Sequence, residues 1–326
     1  MANTITIASP EGKSSVQKPI VCLGMPLYNQ TKYLPEALNS LLAQTYSNFK
    51  LIISDDSTES GPGQIVKSFA VKDQRIIYYK NENRKGLVDN WRNCLHLAGK
   101  VDYFAWVADH DVWHPNWLES LVQILNTQEN ILLVYPKTVN IDDNGHILSK
   151  KLKSDFSSLG LSEAERVQAI CQHAKGFGNM VYGLFRTEAL RRAGVFRRVI
   201  WPDVILLLEL SLQGDIYQVD NELWYRRKTA SFRIARQKKS LFAKKQWYIF
   251  LPWPIVNACA LFWNTTIRSD NKTWRRRKLG LKLTIMYLQR WSVKFGQDSW
   301  IGSYQQWRSG KLPWIKKLKQ CLRDGN

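Results

Sequence analysis

Three strand-sized apolar runs separated by two helix-sized amphipathic segments fill residues 20–79. The strands are Ile20–Met25, Phe49–Ile53 and Arg75–Tyr79. Between them, Leu34, Leu38, Leu41 and Leu42 recur at helical spacing, and a short helix runs to about Phe69. Strand, helix, strand, helix, strand implies a parallel sheet with right-handed crossovers, the layout of a nucleotide-binding half-domain. The first strand ends at Pro26, and Pro26-Leu27-Tyr28-Asn29 reads as a loop with Asn29 or Thr31 as cap of the first helix. Gly61-Pro62-Gly63 breaks the chain. Neither a GxGxxG nor a GxxxxGK[ST] motif follows the first strand, so a dinucleotide fold and a P-loop are both unsupported.

Further on, helices are predicted over Leu87–Leu97, Asn116–Leu125 and Thr187–Ala193, the last ended by Gly194. Strands are predicted over Tyr103–Ala108, Ile131–Tyr135 and Val181–Phe185, and Ile141–Gly145 as a hairpin turn. Asp109-His110-Asp111 then stands where a strand ends and a loop begins. In open α/β sheets that crevice is where ligands bind. Two close carboxylates suit a hard divalent cation with phosphate oxygens completing its shell. The alternative is a turn whose acids only cap the next helix. Asp203 opens an otherwise apolar helix, Trp201–Leu210. It is either an N-cap or a carboxylate held at a cleft edge as a general base.

Taken together these pieces resemble the nucleotide-sugar glycosyltransferases of family 2. The resemblance rests on Pro26–Asn29, Tyr33–Thr58, Asn81–Trp91, Trp106–Glu119, Val181–Gly194, Trp201–Gly214 and Leu223–Arg227, in the family's order over roughly 19–228. It implies a GT-A fold: a Rossmann-like, mostly parallel central sheet flanked by helices. It implies that Asp109 and Asp111 match the Asp-x-Asp metal motif, holding Mg²⁺ or Mn²⁺. Asp203 matches the catalytic base of an inverting transfer. Pro26, Tyr28, Asn29, Asp55, Asp56, Asn83, Arg84 and Gly86 match positions around the nucleotide. His110, Arg226 and Arg227 are candidate contacts to the donor sugar or phosphates. The implied partners are a UDP-, GDP- or TDP-linked sugar and a hydroxyl acceptor on a glycan or lipid, as in cell-surface polysaccharide synthesis. A catalytically silent scaffold of the same fold that binds nucleotide or glycan is the alternative, with nucleic-acid binding through the basic tail a more remote one. Two positions depart from the family pattern. Ala108 stands where many relatives carry an acid, and Pro202 stands where an acid often precedes the base.

Charge divides the chain of 326 residues in two. From Arg226 to the end there are 24 Lys and Arg against 3 Asp and Glu, while residues 1–225 hold 23 against 24. The expected organisation is a disordered lead-in (1–18), a catalytic domain (19–228) and a basic, Trp-rich, mainly helical extension (229–326). Trp247–Ile267 runs 21 residues without a charge, but Pro252 and Pro254 would break a spanning helix. The readings left open are an interfacial helical hairpin on an anionic membrane surface and packing against the catalytic domain. The Arg275–Lys278 and Lys316–Lys319 clusters favour an anionic surface. The front domain carries no nucleic-acid motif, so nucleic acid is not an expected partner. Five scattered Cys without CxxC spacing and a polar N-terminus without a signal-peptide core fit a cytoplasmic protein, peripheral on the membrane's cytoplasmic face.

Overall fold

The computed structural model describes residues 18–148, 156–172, 177–228, 241, 248, 251, 253–267 and 273–295. The expected lead-in up to residue 17, the Lys316–Lys319 cluster and most of 229–252 lie outside the described residues. The elements that build the front are β1 (Val21–Leu27), α1 (Leu34–Leu42), β2 (Phe49–Asp55), α2 (Gly61–Ala70), β3 (Ile76–Lys80), α3 (Leu87–Leu97) and β4 (Tyr103–Trp106). They are followed by β5 (Val112–Trp113), α4 (Trp117–Thr127), β6 (Ile131–Ile141), α5 (Glu163–Gln172) and α6 (Phe177–Met180). Then come β7 (Leu184–Arg186), α7 (Thr187–Arg192), α8 (Pro202–Ser211) and β8 (Asp215–Arg227). The extension supplies α9 (Trp253–Phe262), a π-helical turn (Trp263–Ile267) and α10 (Trp274–Phe295).

The eight strands form one sheet in the order β3-β2-β1-β4-β7-β6-β8-β5. β3, β2, β1 and β4 are parallel, as the alternation predicts. β7 runs antiparallel to β4 and β6, and β5 antiparallel to β8. Strand alternation sorts side chains between two cores. Val21, Leu23, Met25 and Leu27 of β1 face α1 and α4, while Cys22 faces the opposite core with Phe104 and Trp106. β1 also continues through Pro26 to Leu27, two residues beyond the predicted end. Gly24 and Pro26 point toward β4, but pairing with β4 stops at Gly24. Proline's missing N–H therefore falls where no strand stands to accept it.

Several local expectations need correction. The residue before α1 is Tyr33, without a side-chain cap, so neither Asn29 nor Thr31 caps it. Gly61-Pro62-Gly63 does not interrupt the chain but forms the first turn of α2, where proline is tolerated. The strand predicted at Val181–Phe185 narrows to Leu184–Arg186. Gly183 explains the close approach there. A Cβ on it would lie 2.3 Å from the Val134 carbonyl and 2.7 Å from the Tyr135 Cβ. Gly183→Ala is expected to destabilise the fold by about 3 kcal/mol, because backbone rather than a flexible side chain must yield; urea denaturation measures it.

α8 is buried all round, which explains its continuous apolar sequence. One side packs on the sheet, and the extension covers another. Leu261, Leu283, Met286 and Tyr287 belong to the same core as Leu206 and Leu207. The Asn257 amide donates to the Ile200 carbonyl at 2.7 Å, and Arg290 donates to the Cys171 carbonyl at 2.6 Å. The inner side of the described extension thus packs on the α/β domain.

Candidate active site

The loop after β4 carries Asp109-His110-Asp111 to the sheet's C-terminal edge, and β8 pins it there. Asp111 is 2% exposed. Its Oδ1 accepts the Arg227 backbone N–H at 2.8 Å and its Oδ2 accepts the Trp224 indole N–H at 3.1 Å. Burial pushes its carboxyl above the usual range, with His110, the Arg227 N–H, Arg226 and Trp224 pulling the other way. The His110 Nδ1 lies 2.6 Å from the Asp109 Oδ1, and its Nε2 lies 3.8 Å from the Asp111 Oδ1. Burial opposes the imidazolium, but the Asp109 hydrogen bond and the charges of Asp111 and Asp109 outweigh it, and His110 titrates above its ordinary value. Helix capping is not the job of either acid, since α4 follows Asn116 and has no side-chain cap.

Asp203 is not an N-cap either. That position is Trp201, and Asp203 lies within the first turn of α8. Burial lifts its pKa to about 6, opposed by the Val204 and Asp203 backbone N–H groups and by Arg226. Trp201 sits at φ 59°, a left-handed conformation that is costly for a bulky side chain before proline. Asn257 of the extension grips the Ile200 carbonyl just ahead of it. Gly178 lies close by: a Cβ there would sit in ordinary contact, 3.4 Å from the Asp203 Oδ2. Another buried acid on α8, Glu209, pairs with Arg197 at 3.1 Å and is structural.

Arg226 and Tyr182 join the two acidic elements. Arg226 is held by the Asn179 Oδ1 at 2.8 Å, and its charge acts on His110, Asp111 and Asp203 alike. Tyr182 packs on Trp224 with ring centroids 4.7 Å apart and feels Asp109, Asp111 and Asp203 together. Arg227, a candidate contact to the donor sugar or phosphates, is held by the protein's own groups. It is 3% exposed, with Nε donating to the His110 carbonyl at 3.0 Å and Nη1 to the Asp142 carbonyl at 2.8 Å. Its Nη2 meets Glu36 at 2.5 Å, and its guanidinium lies over the Tyr33 ring at 4.5 Å. It is a clamp between α1, the Asp109 loop and the 142 turn. Trp224, Tyr182 and Asn179 were not singled out from sequence. Trp224 and Tyr182 lie in motif segments, but nothing local marks an indole as a carboxylate donor.

The expected nucleotide residues form a second group beside this one. Tyr28 is 45% exposed, with the Arg84 guanidinium 5.0 Å over its ring. Pro26 is half-buried at the end of β1, and Asn83 is exposed beside Arg84. Asn29, at φ 50°, accepts from the Thr58 and Glu59 N–H groups and ties the β1 and β2 loops together. Asp56 accepts from the backbone N–H groups of Lys85 (2.7 Å) and Gly86 (2.9 Å), the latter at φ 80°. Asp55 accepts from the Tyr78 hydroxyl at 2.7 Å and the Ser57 N–H at 2.8 Å. Both acids therefore shape the loop; Tyr28, Asn83 and Arg84 face solvent.

Residues 22–189, just over half of the chain, match the Glycosyl transferase family 2 profile. The chain belongs to glycosyltransferase family 2. An uncharacterised glycosyltransferase of Rickettsia prowazekii is 34% identical over 137 residues, covering 42% of each chain. One of Methanocaldococcus jannaschii is 32% identical over 137 residues, covering 41% of this chain and 47% of that one. The matches thus span less than half of these relatives' length. Among solved structures, Staphylococcus aureus TarS 1–349 in complex with UDP-GlcNAc superposes with a TM-score of 0.60 at 15% identity, covering 89% of this chain and 78% of that one. The family 2 chain thus has the α/β, GT-A-like fold.

Proposed function

We propose that this family 2 chain transfers a sugar from a nucleoside-diphosphate donor to a hydroxyl acceptor with inversion at the anomeric carbon. The observation that carries the proposal is the meeting of Asp203 with the Asp109–Asp111 pair around Arg226 and Tyr182. The acceptor oxygen forms its bond to the anomeric carbon as the bond to the phosphate oxygen breaks. Asp203 takes the hydroxyl proton, and the nucleoside diphosphate leaves with the electron pair. A carboxylate titrating near 6 is ionised at neutral pH yet more basic than an ordinary Asp, which suits a general base. Arg226 supports negative charge growing on the leaving group. Tyr28 and Arg84 offer an aromatic face and a cation to the nucleotide.

The acid pair fits a divalent cation on one condition. No group of three or more ligating side chains occurs among the described residues. Mg²⁺ or Mn²⁺ needs only one or two carboxylates when phosphate oxygens complete its shell. Asp109 has its Oδ2 without a donor among the described residues, and Asp111 is oriented by β8. These two would hold the ion, which would neutralise the diphosphate. His110 competes with it for the same charge. Metal-dependent nucleotide binding is therefore expected to be several-fold tighter at pH 8 than at pH 6, and His110→Asn is expected to flatten that dependence. Calorimetric titration with Mn²⁺ present measures both.

The decisive experiment is a donor screen with Mg²⁺ or Mn²⁺. UDP-sugars come first, because TarS was solved with UDP-GlcNAc, then GDP- and TDP-sugars. Nucleoside diphosphate release from one donor, lost with EDTA and in Asp111→Ala, supports the proposal. Nucleotide binding with no release, even when glycan and lipid-linked acceptors are supplied, would favour a silent scaffold instead.

A further inference from the structure

The extension has an outer side as well as the inner one that packs on α8. In α9 and the following π-helical turn, Ile255, Cys259, Trp263 and Ile267 recur every four residues and are all exposed, with Trp263 58% so. No charged residue interrupts 253–267. Among the described side chains of α10 the exposed large apolar residues are Trp274, Leu281, Ile285 and Leu288. At 100° per residue these four fall within about 60° of one another, a single stripe along the helix. Lys278 and Lys282 border that stripe on one side and Arg277 on the other, all exposed. α10 carries seven Lys and Arg and no Asp or Glu.

The two helices are held as a hairpin. A Cβ on Gly280 would lie 2.8 Å from the Thr265 carbonyl, so the backbones touch there. No described helix is long and apolar enough to cross a membrane. An apolar stripe with flanking cations, no acid and a Trp that is 79% exposed at its end needs a partner that is apolar below and anionic at its surface.

We propose that the outer face of the α9–α10 hairpin docks on an anionic lipid bilayer, lying in the plane of the headgroups. Trp263 and Trp274 sit at headgroup depth, where indole is favoured. Ile255, Leu281, Ile285 and Leu288 enter the acyl boundary. Lys278, Lys282 and Arg277 pair with lipid phosphates. The same hairpin packs on α8 and holds Ile200 through Asn257, so the surface stands in fixed relation to Asp203. The inference is independent of the chemistry proposed above, because its readout involves no donor and no turnover.

The test is vesicle flotation of the full chain. Vesicles of phosphatidylcholine alone are compared with vesicles containing phosphatidylglycerol, at low and high salt. The expected result is strong partition to the anionic vesicles that weakens with salt. Each basic residue at the surface is worth about fivefold in partition, so Lys278→Glu with Lys282→Glu is expected to reduce it at least tenfold. Trp274→Glu with Ile285→Glu is expected to reduce it comparably at both salt concentrations. All four positions are exposed, and an unchanged thermal melt verifies the fold of each variant. Partition that is equal for neutral and anionic vesicles, or undiminished in both variants, overturns the proposal. So does a dimer in light scattering that the Trp274→Glu/Ile285→Glu variant splits, since a second copy would then cover the face.

Discussion

Asp203→Asn is expected to lower sugar transfer by roughly 10³-fold and to leave nucleotide affinity unchanged, within the range that loss of a general base produces. The amide keeps the shape of the carboxylate but cannot take the acceptor proton. Single-turnover kinetics and nucleotide titration separate the two effects. The parent protein is expected to show an acid limb: with Asp203 titrating near 6, activity would fall below that pH as the proposed base is protonated and be full above it. The variant also gains stability. A folded-state pKa raised above the ordinary 3.8 contributes stability that is present below that value and lost as pH rises through about 6. At neutral pH the buried charge therefore weakens the fold, by an amount on the order of 1–2 kcal/mol after allowing for partial solvent access. Asp203→Asn removes that penalty, and its melting temperature rises above the parent's at pH 7.5 but not at pH 4. Near-full turnover by the variant would remove Asp203 from the base role.

Arg227→Met is expected to unfold the region around the Asp109 loop, with a loss of about 3–4 kcal/mol in global stability. The salt bridge to Glu36 accounts for little of this, because that carboxylate is half exposed to water. Most comes from the His110 carbonyl, which loses its Arg227 donor, from the Asp142 carbonyl, which keeps only the Gly145 N–H, and from the flat guanidinium packed on Tyr33. Arg227→Lys does not restore it, since an ammonium cannot serve three separate acceptors in one plane. Chemical denaturation gives the stability. Nucleotide binding in the presence of metal falls alongside it, because the backbone N–H that orients Asp111 belongs to the same residue.

Much of the front half was legible. Apolar periodicity is a local signal, and it placed α3 at Leu87–Leu97 and the parallel strands β1 to β4. β8 went unread for an equally local reason. Asp215–Arg227 mixes Asp215, Gln218, Asp220, Asn221 and Glu222 among its apolar residues, so no run or clean alternation stands out. The apolar run of its partner β6 ends at Tyr135, just before Pro136, although the ladder continues to Ile141↔Arg227. The extension was read as either membrane-facing or domain-packed. Its inner stripe packs on the domain, while the outer stripe is free among the described residues.

By itself the sequence determined the α/β class, the alternation of strand and helix in the half-domain and the acids at strand ends, because side-chain period and turn residues act over a few neighbours. Tertiary structure alone decided what those acids experience. Trp224 and Arg227 reach Asp111 from 113 and 116 residues away, and Asn257 reaches Ile200 from 57. Burial depth, hydrogen-bond donors and the field of Arg226 are properties of such long-range neighbours. No local pattern could have told Arg227, a clamp, from Arg226, which faces the acids.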